Sequence, residues 1–362
     1  MEAARAAEAA GRRIIHMEVG QPGTPAPAVA RRTLADAMEA GSLGYTVALG
    51  LPELRARIAA LYRDWHGIEL NPDRVIVTAG ASGAFLLAFS ALFDAGDRVA
   101  AGLPGYPSYR QILKALSLQP VDIVTTAENR FQPVPDQLPD DVAGLIVASP
   151  GNPTGTMLDQ PALAALIGAA QDRGAAFISD EIYHGIDYDR APVTALSVSD
   201  EVCVINSFSK YFSMTGWRVG WMVVPDHMIR TVERLAQNMF ICPPHASQVT
   251  ALAAMDATSE LEANKAVYAE NRRLMIEGLP AAGFASFAPP DGAFYIYADV
   301  SDMTEDSLAL SREILDQAGV AVTPGLDFDP TRGHQTLRFS YARSTADIVE
   351  GLARLAKWRA SR

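Results

Sequence analysis

Lysine is scarce in this 362-residue chain, where Lys114, Lys210, Lys265 and Lys357 stand against twenty-six arginines. Three of them fall in helix-like stretches beside other polar residues, where a solvated surface amine is the expectation. Lys210 differs. It follows the apolar run Val202 to Ile205 in the string N-S-F-S-K-Y-F-S-M-T-G-W-R-V-G, which crowds Ser207, Ser209, Lys210 and Arg218 among apolar residues and glycine. Desolvation and a nearby arginine both disfavour an ammonium ion, so the neutral amine becomes a usable nucleophile.

Three further strings carry groups suited to a charged ligand. S-D-E-I-Y-H-G places Asp180 just past the strand-like A-A-F-I-S and Tyr183 three residues on. A carboxylate there either faces a ligand at the carboxyl end of a strand or caps a helix, and both readings stay open. P-G-N-P-T-G, from Pro150 to Gly155, follows another strand and by itself reads as a turn. In T-A-G-A-S-G-A-F, the residues Gly80, Ala81 and Ser82 link the run Val75 to Val77 to a helix expected from about Gly83. Backbone N–H groups at such a start, with the helix dipole behind them, form an anion site.

The elements that would position these groups alternate. Strand-like runs at Arg74–Val77, Arg98–Ala101, Val121–Thr125, Leu145–Ala148, Ala176–Ser179, Val202–Ile205 and Gly220–Val224 are separated by helix-like stretches. They are apolar at nearly every position, so both faces need cover, and the expectation is an α/β fold with a mainly parallel seven-stranded sheet between helices. A smaller α+β domain is expected from strands at Phe294–Ala298 and Gln335–Ser340 around a helix at Ser307–Ala318, with the segment through Met17 to Val19 as its N-terminal partner. A long helix around Leu261 to Glu277 would join the two, giving a large domain over 41–260 and a small one over 1–40 and 261–362.

Composition excludes several classes. The formal charge of -12 and the lack of a basic stretch oppose nucleic acid and anionic membrane, so any bound phosphate must be met locally. Cys203 and Cys242 are far apart and outside any C-x-x-C, which implies no disulfide framework and no zinc site and fits a reducing cytoplasm. No run of 18 apolar residues and no leader pattern is present, so a membrane span or secretion is not expected. The first strand lacks the G-x-G-x-x-G and downstream acid of a dinucleotide-binding enzyme.

Taken in order, these strings resemble the fold-type I pyridoxal-phosphate (PLP) enzymes, and in particular the class I and II aminotransferase family. The likeness spans nearly the whole chain. It runs through G-Q-P-G-T-P at Gly20, Y-T-x-x-x-G at Tyr45, T-A-G-A-S-G, P-G-Y-P-S-Y at Pro104, P-G-N-P-T-G, S-D-E-I-Y, S-x-S-K-x-x-x-M-T-G-W-R-x-G and L-R-F-S-Y-A at Leu337. The resemblance implies Lys210 as the Schiff-base lysine and proton shuttle, and Asp180 as partner of the cofactor's ring nitrogen. Tyr183 and Asn152 would bond its phenolic oxygen, and Tyr106 would stack on its ring. Its phosphate would meet the loop Gly80, Ala81 and Ser82, the hydroxyls of Ser207 and Ser209, and Arg218. Arg338 would take the substrate carboxylate, assisted by Asn152 and the Gly20 backbone. Tyr45 would reach the partner's phosphate in a homodimer with shared active sites, and Asn152-Pro153 would be cis. His184 and Tyr109 lie near the site by sequence and receive no chemical role.

The implied reaction is amino transfer between an L-amino acid and a 2-oxo acid, 2-oxoglutarate or pyruvate. A PLP lyase, of the carbon-sulfur β-lyase or aminocyclopropane carboxylate synthase kind, would use the same Lys210, Asp180 and Arg338 and stays open. A DNA-binding regulator on this fold carries a winged helix ahead of it, whereas fewer than twenty residues precede Gly20. Relatives selective for acidic substrates add a second basic group, and one branch has a lysine where Ser82 and Gly83 stand here. That departure argues against aspartate and for a branched-chain or aromatic donor with 2-oxoglutarate as acceptor. The N-terminal arm also reads shorter than the family's, which leaves room for residues ahead of Met1.

Overall fold

In the computed structural model, which describes every residue from 1 to 362 except Ser42, the alternating runs form thirteen strands. They are β1 (Ile15–His16), β2 (Val75–Thr78), β3 (Arg98–Leu103), β4 (Gln119–Val124), β5 (Gly144–Ala148), β6 (Ala176–Asp180), β7 (Cys203–Ser207), β8 (Gly220–Val223), β9 (Ser286–Phe287), β10 (Tyr295–Asp299), β11 (Val320–Ala321), β12 (Thr323–Pro324) and β13 (Thr336–Ser340). The seven runs expected in the middle of the chain make one sheet in the order β2-β8-β7-β6-β5-β3-β4. Its pairs are parallel except those of β8, which runs antiparallel to both neighbours.

Alternate residues of each strand feed two separate cores. Val75 and Val77, Leu145 and Val147, Phe177 and Val204 point into one apolar cluster. Ile76, Ile146, Ile178 and Ile205 point into the other, against Phe85 and Phe89 of the helix Gly80–Leu92. The period of two along a strand divides one apolar run between two faces, which is why these runs show no polar side.

The C-terminal part forms the antiparallel sheet β12-β13-β10-β9, and β1 pairs in parallel with β11. The N-terminal strand thus lies at Ile15–His16 and not at Met17 to Val19. The later residues bridge two sheets: Met17 N–H donates to Ala321 O at 2.9 Å and Met17 O accepts from Ser340 N–H at 2.7 Å. The Ala-rich start forms the helix Glu2–Ala9, and the expected connecting helix runs over Thr258–Ala281, across the proposed boundary at 260/261. The cluster holding Val75 and Leu145 continues into Phe284, Phe339 and Leu355, so one core spans both parts. Lys114 and Lys357 are exposed, whereas Lys265 is half-buried against Asp187 at 3.1 Å.

Strand order places the carboxyl ends of β3, β5, β6 and β7 side by side, where ligands bind in open α/β sheets. The last positioning contact is made by Gly220 in β8. A Cβ there would stand 2.8 Å from Asn206 O and 3.0 Å from Gly80 C, so β8 packs backbone against backbone on β7 and on the loop after β2. Gly220→Ala is therefore expected to lower the unfolding free energy in urea by about 1–3 kcal/mol, the usual cost of overpacking a tight contact.

Candidate active site

Side chains from the strand ends meet in a cavity of about 670 Å³, within the range of small-molecule sites. Its wall includes Gly20, Ala81, Ser82, Tyr106, Asn152, Asp180, Tyr183, Ser209, Lys210, Arg218 and Arg338. Of the residues singled out from sequence, Gly80, Ser207 and Tyr45 do not line it. Gly80 lies directly behind Arg218: its φ is +72°, and a Cβ would come within 2.2 Å of the Arg218 guanidinium. Ser207 lies behind Ser209, its hydroxyl oxygen 2.9 Å from Ser209 Oγ and 3.2 Å from Val219 O. Tyr45 is 83% exposed on the surface of the chain.

Lys210 follows β7 and donates from Nζ to Gly20 O at 2.7 Å. Burial pushes its pKa down to about 8, helped by the positive charges of Arg338 and Arg218 and opposed by Asp180. Asp180 ends β6, and no helix follows it, so it is not a helix cap. Its Oδ1 accepts from Ile182 N–H at 3.1 Å, and its Oδ2 accepts from the Tyr109 hydroxyl. Burial raises its pKa to about 6, against the lowering effect of Tyr109, the Ile182 N–H and Lys210. It stays largely ionised at pH 7. Tyr109, to which no role was assigned, is the partner that holds this carboxylate.

A helix N-terminus and an arginine make one end of the cavity cationic. The helix Gly80–Leu92 begins three residues earlier than expected, so the N–H groups of Ala81 and Ser82 belong to its first turn and have no intrahelical partner. Arg218, held in the left-handed region at φ +51°, donates to Thr215 O at 2.9 Å beside them. At the other end Arg338 of β13 lies between two rings, 4.3 Å from Tyr295 and 4.6 Å from Phe328. It donates to Glu18 O at 2.6 Å and to Asn152 Oδ1 at 2.9 Å, and its buried Nε has no hydrogen-bond partner. The terminal nitrogens carry N–H groups beyond those two bonds, which an incoming carboxylate can take.

The loop after β5 carries three cis peptides' worth of turn chemistry with its neighbour after β3: Asn152-Pro153, as expected, with Ser149-Pro150 and Leu103-Pro104 besides. His184 braces this loop, one ring nitrogen lying 3.0 Å from Ser149 O, and burial drives its pKa well below the ordinary histidine value. A neutral, buried His184 is a structural residue. Among the cavity residues that escaped the sequence reading are Glu18, Thr215, Tyr295 and Phe328. The only signal for Tyr295 was its place at the start of an expected strand. Among the described residues there is no helix long and apolar enough to cross a membrane and no cluster of metal-binding side chains.

Comparison with known proteins shows the family. The family described as Aminotransferase class I and II matches residues 12–355. The chain is 48% identical over 352 residues to a valine–pyruvate aminotransferase of Mycobacterium tuberculosis, covering 95% of this chain and 91% of that one. It is 31% identical over 357 residues to an aspartate aminotransferase of Pyrococcus horikoshii, covering 95% and 90%. A crystal structure from Silicibacter pomeroyi shares 66% identity with a TM-score of 0.96, over all of this chain and 95% of the other.

The depressed Lys210 amine yields a direct expectation. In cofactor-free protein, an amine-selective reagent followed by mass spectrometry should modify Lys210 with a midpoint near pH 8. Asp180→Asn removes the charge that favours the ammonium form, so the midpoint should fall further; a midpoint that stays or rises contradicts the assigned balance.

Proposed function

This chain belongs to the class I and II aminotransferase family and catalyses amino-group transfer between an amino acid and a 2-oxo acid, and from that premise we propose that its cavity holds pyridoxal phosphate and accepts neutral, branched-chain donors. When bound, that cofactor supplies an aldehyde for the amino group and an electron-accepting ring. The donor set fits it. The N–H groups of Ala81 and Ser82, the Ser209 hydroxyl backed by Ser207, and Arg218 laid against Gly80 form an anion cradle at one end. Asp180, ionised at pH 7 and steadied by Tyr109, would hold a protonated ring nitrogen. Tyr183 and Asn152 would bond the phenolic oxygen, and Tyr106 would cover the ring face. The observation that carries the reading is that Lys210, Asp180, Arg218 and Arg338 line one cavity.

Lys210 would attach the cofactor and, once displaced by substrate, move a proton at the substrate's α-carbon. With its pKa near 8, roughly a tenth of the amine is neutral at pH 7, enough to act as a base. Arg338, its guanidinium set between two rings, would grip the substrate carboxylate through its terminal N–H groups, while Asn152 and the Gly20 backbone close the pocket around it. Neither curated relative named above is a lyase.

The donor preference follows from charge. Val19, Leu315, Val322 and Phe328 give the cavity an apolar wall, and Glu18 in the same wall is 9% exposed, one carboxylate oxygen paired with His16 at 2.8 Å and the other unpartnered. A second substrate carboxylate near that charge is repelled in a low dielectric, whereas Arg312 sits exposed at the rim, where water screens it. This favours valine-like donors and pyruvate over aspartate and 2-oxoglutarate. The exposed apolar side chains Met38, Tyr45, Val47, Met239 and Ile241 support a homodimer in which Tyr45 serves the partner's site. We place the large domain at 41–260 and the small one at 1–40 with 261–362, and the protein in the cytoplasm, where its free cysteines Cys203 and Cys242 are at home.

Screening amino acids against pyruvate and 2-oxoglutarate should give kcat/KM for valine about tenfold or more above that for aspartate. A strict aspartate preference overturns the donor assignment. Glu18→Gln should narrow the ratio by about tenfold through relief of repulsion. Lys210→Ala should abolish both the visible cofactor band and borohydride-fixed label, and lower transfer at least about a hundredfold.

A further inference from the structure

Tyr295 opens β10, is 1% exposed, and makes three contacts within the cavity. Its hydroxyl lies 2.8 Å from the Tyr183 hydroxyl, and either oxygen can donate. Its ring face carries the Arg338 guanidinium at 4.3 Å. The same hydroxyl occupies the space a Cβ would need at Gly20, only 1.7 Å away, so Tyr295 packs on the residue whose carbonyl receives Lys210. Pairing of β10 with β13 sets this arrangement, with Tyr297 opposite Arg338 and Tyr295 opposite Ser340.

We propose that Tyr295 is a positioning residue that couples the carboxylate-reading group, Arg338, to the hydroxyl of Tyr183. The inference rests on the roles proposed above for those two residues and on no role for Tyr295 at the reacting atoms. A phenol has one proton to give. With Tyr295 donating to Tyr183, the Tyr183 proton is free to reach the cofactor's oxygen. In that orientation Tyr295 polarises the Tyr183 hydroxyl toward the cofactor, and removing Tyr295 would make Tyr183 a weaker donor. The ring face of Tyr295 meanwhile feels the charge of Arg338. A carboxylate bound at Arg338 offsets that charge, reduces the acidity of Tyr295, and so changes the hydrogen bond received by Tyr183. Occupancy of the substrate site is thereby passed to the cofactor site through Tyr295, alongside the direct contact of Arg338 with Asn152.

The test is a pH titration of the visible band of the holoenzyme, with and without saturating 3-methylbutanoate, a carboxylate that lacks the amino group and cannot react. In wild type the probe should displace the midpoint. Tyr295→Phe keeps the ring over Arg338 and removes only the hydroxyl. Its midpoint without probe should rise by about one pH unit, the scale of one hydrogen bond to a charged system. The displacement by probe should shrink to less than half, even though the probe still binds. Tyr183→Phe should raise the midpoint similarly, and the double variant should add little, as expected for residues acting through one chain of bonds. A thermal melt of each variant reports folding separately. If Tyr295→Phe titrates with wild type and keeps the full displacement, or if the two effects add, the coupling is wrong. A wild-type protein that develops no visible band with pyridoxal phosphate would instead overturn the cofactor reading on which the proposal stands.

Discussion

An amine kept out of water is the constraint around which this structure is organised. Lys210 is drawn down to a pKa of about 8 by burial and by two arginines, and only Asp180 pulls the other way. Burying any of these charges alone would cost several kcal/mol, so they stand only because each has a partner. Arg338 has two carbonyl-type acceptors and two ring faces, Asp180 has a phenol and a backbone N–H, and Lys210 has the Gly20 carbonyl. Removing one partner would leave its neighbour exposed to the full penalty. That mutual dependence accounts for how closely the site is held by groups that never reach its cavity, such as Ser207 and His184.

Close backbone approach is the means by which distant segments reach this amine. Three glycines do the work. Gly20 yields its side-chain space to the Tyr295 hydroxyl, Gly80 yields its space to Arg218, and Gly220 lets β8 press on β7 and on the loop after β2. Only at Gly80 does a positive φ add a conformational reason for glycine, while at the other two the reason is volume. The sheet supplies the rest, because parallel order brings the carboxyl ends of β3, β5, β6 and β7 to one edge.

Most of the large sheet was legible because apolar runs of four to six residues, cut by Gly and Pro, have one physical solution when both faces must be covered. Boundaries were less so. The start of the helix at Gly80 and the displacement of the first strand to Ile15–His16 were settled by partners far away in the chain, Arg218 for the one and Val320–Ala321 for the other. The short strands β9, β11 and β12 carry too few residues for any period to show. Within the site, Tyr106, Asn152, Asp180, Tyr183, Ser209, Lys210, Arg218 and Arg338 were read from local strings and meet in one cavity, while Ser207 and Gly80 stand one layer behind it.

The sequence by itself determined which chemistry is available: one lysine among apolar residues, one carboxylate at a strand end, one glycine-led helix start and two isolated arginines. Each is a local property, set by neighbours within a few positions. Only the tertiary structure decided that Tyr109 holds Asp180 across 71 residues, that Tyr295 meets Tyr183 across 112, and that Glu18 stands in the cavity wall with its carboxylate on His16. Those contacts depend on strand register and on the packing of two sheets, and no spacing along the chain encodes a distance through space.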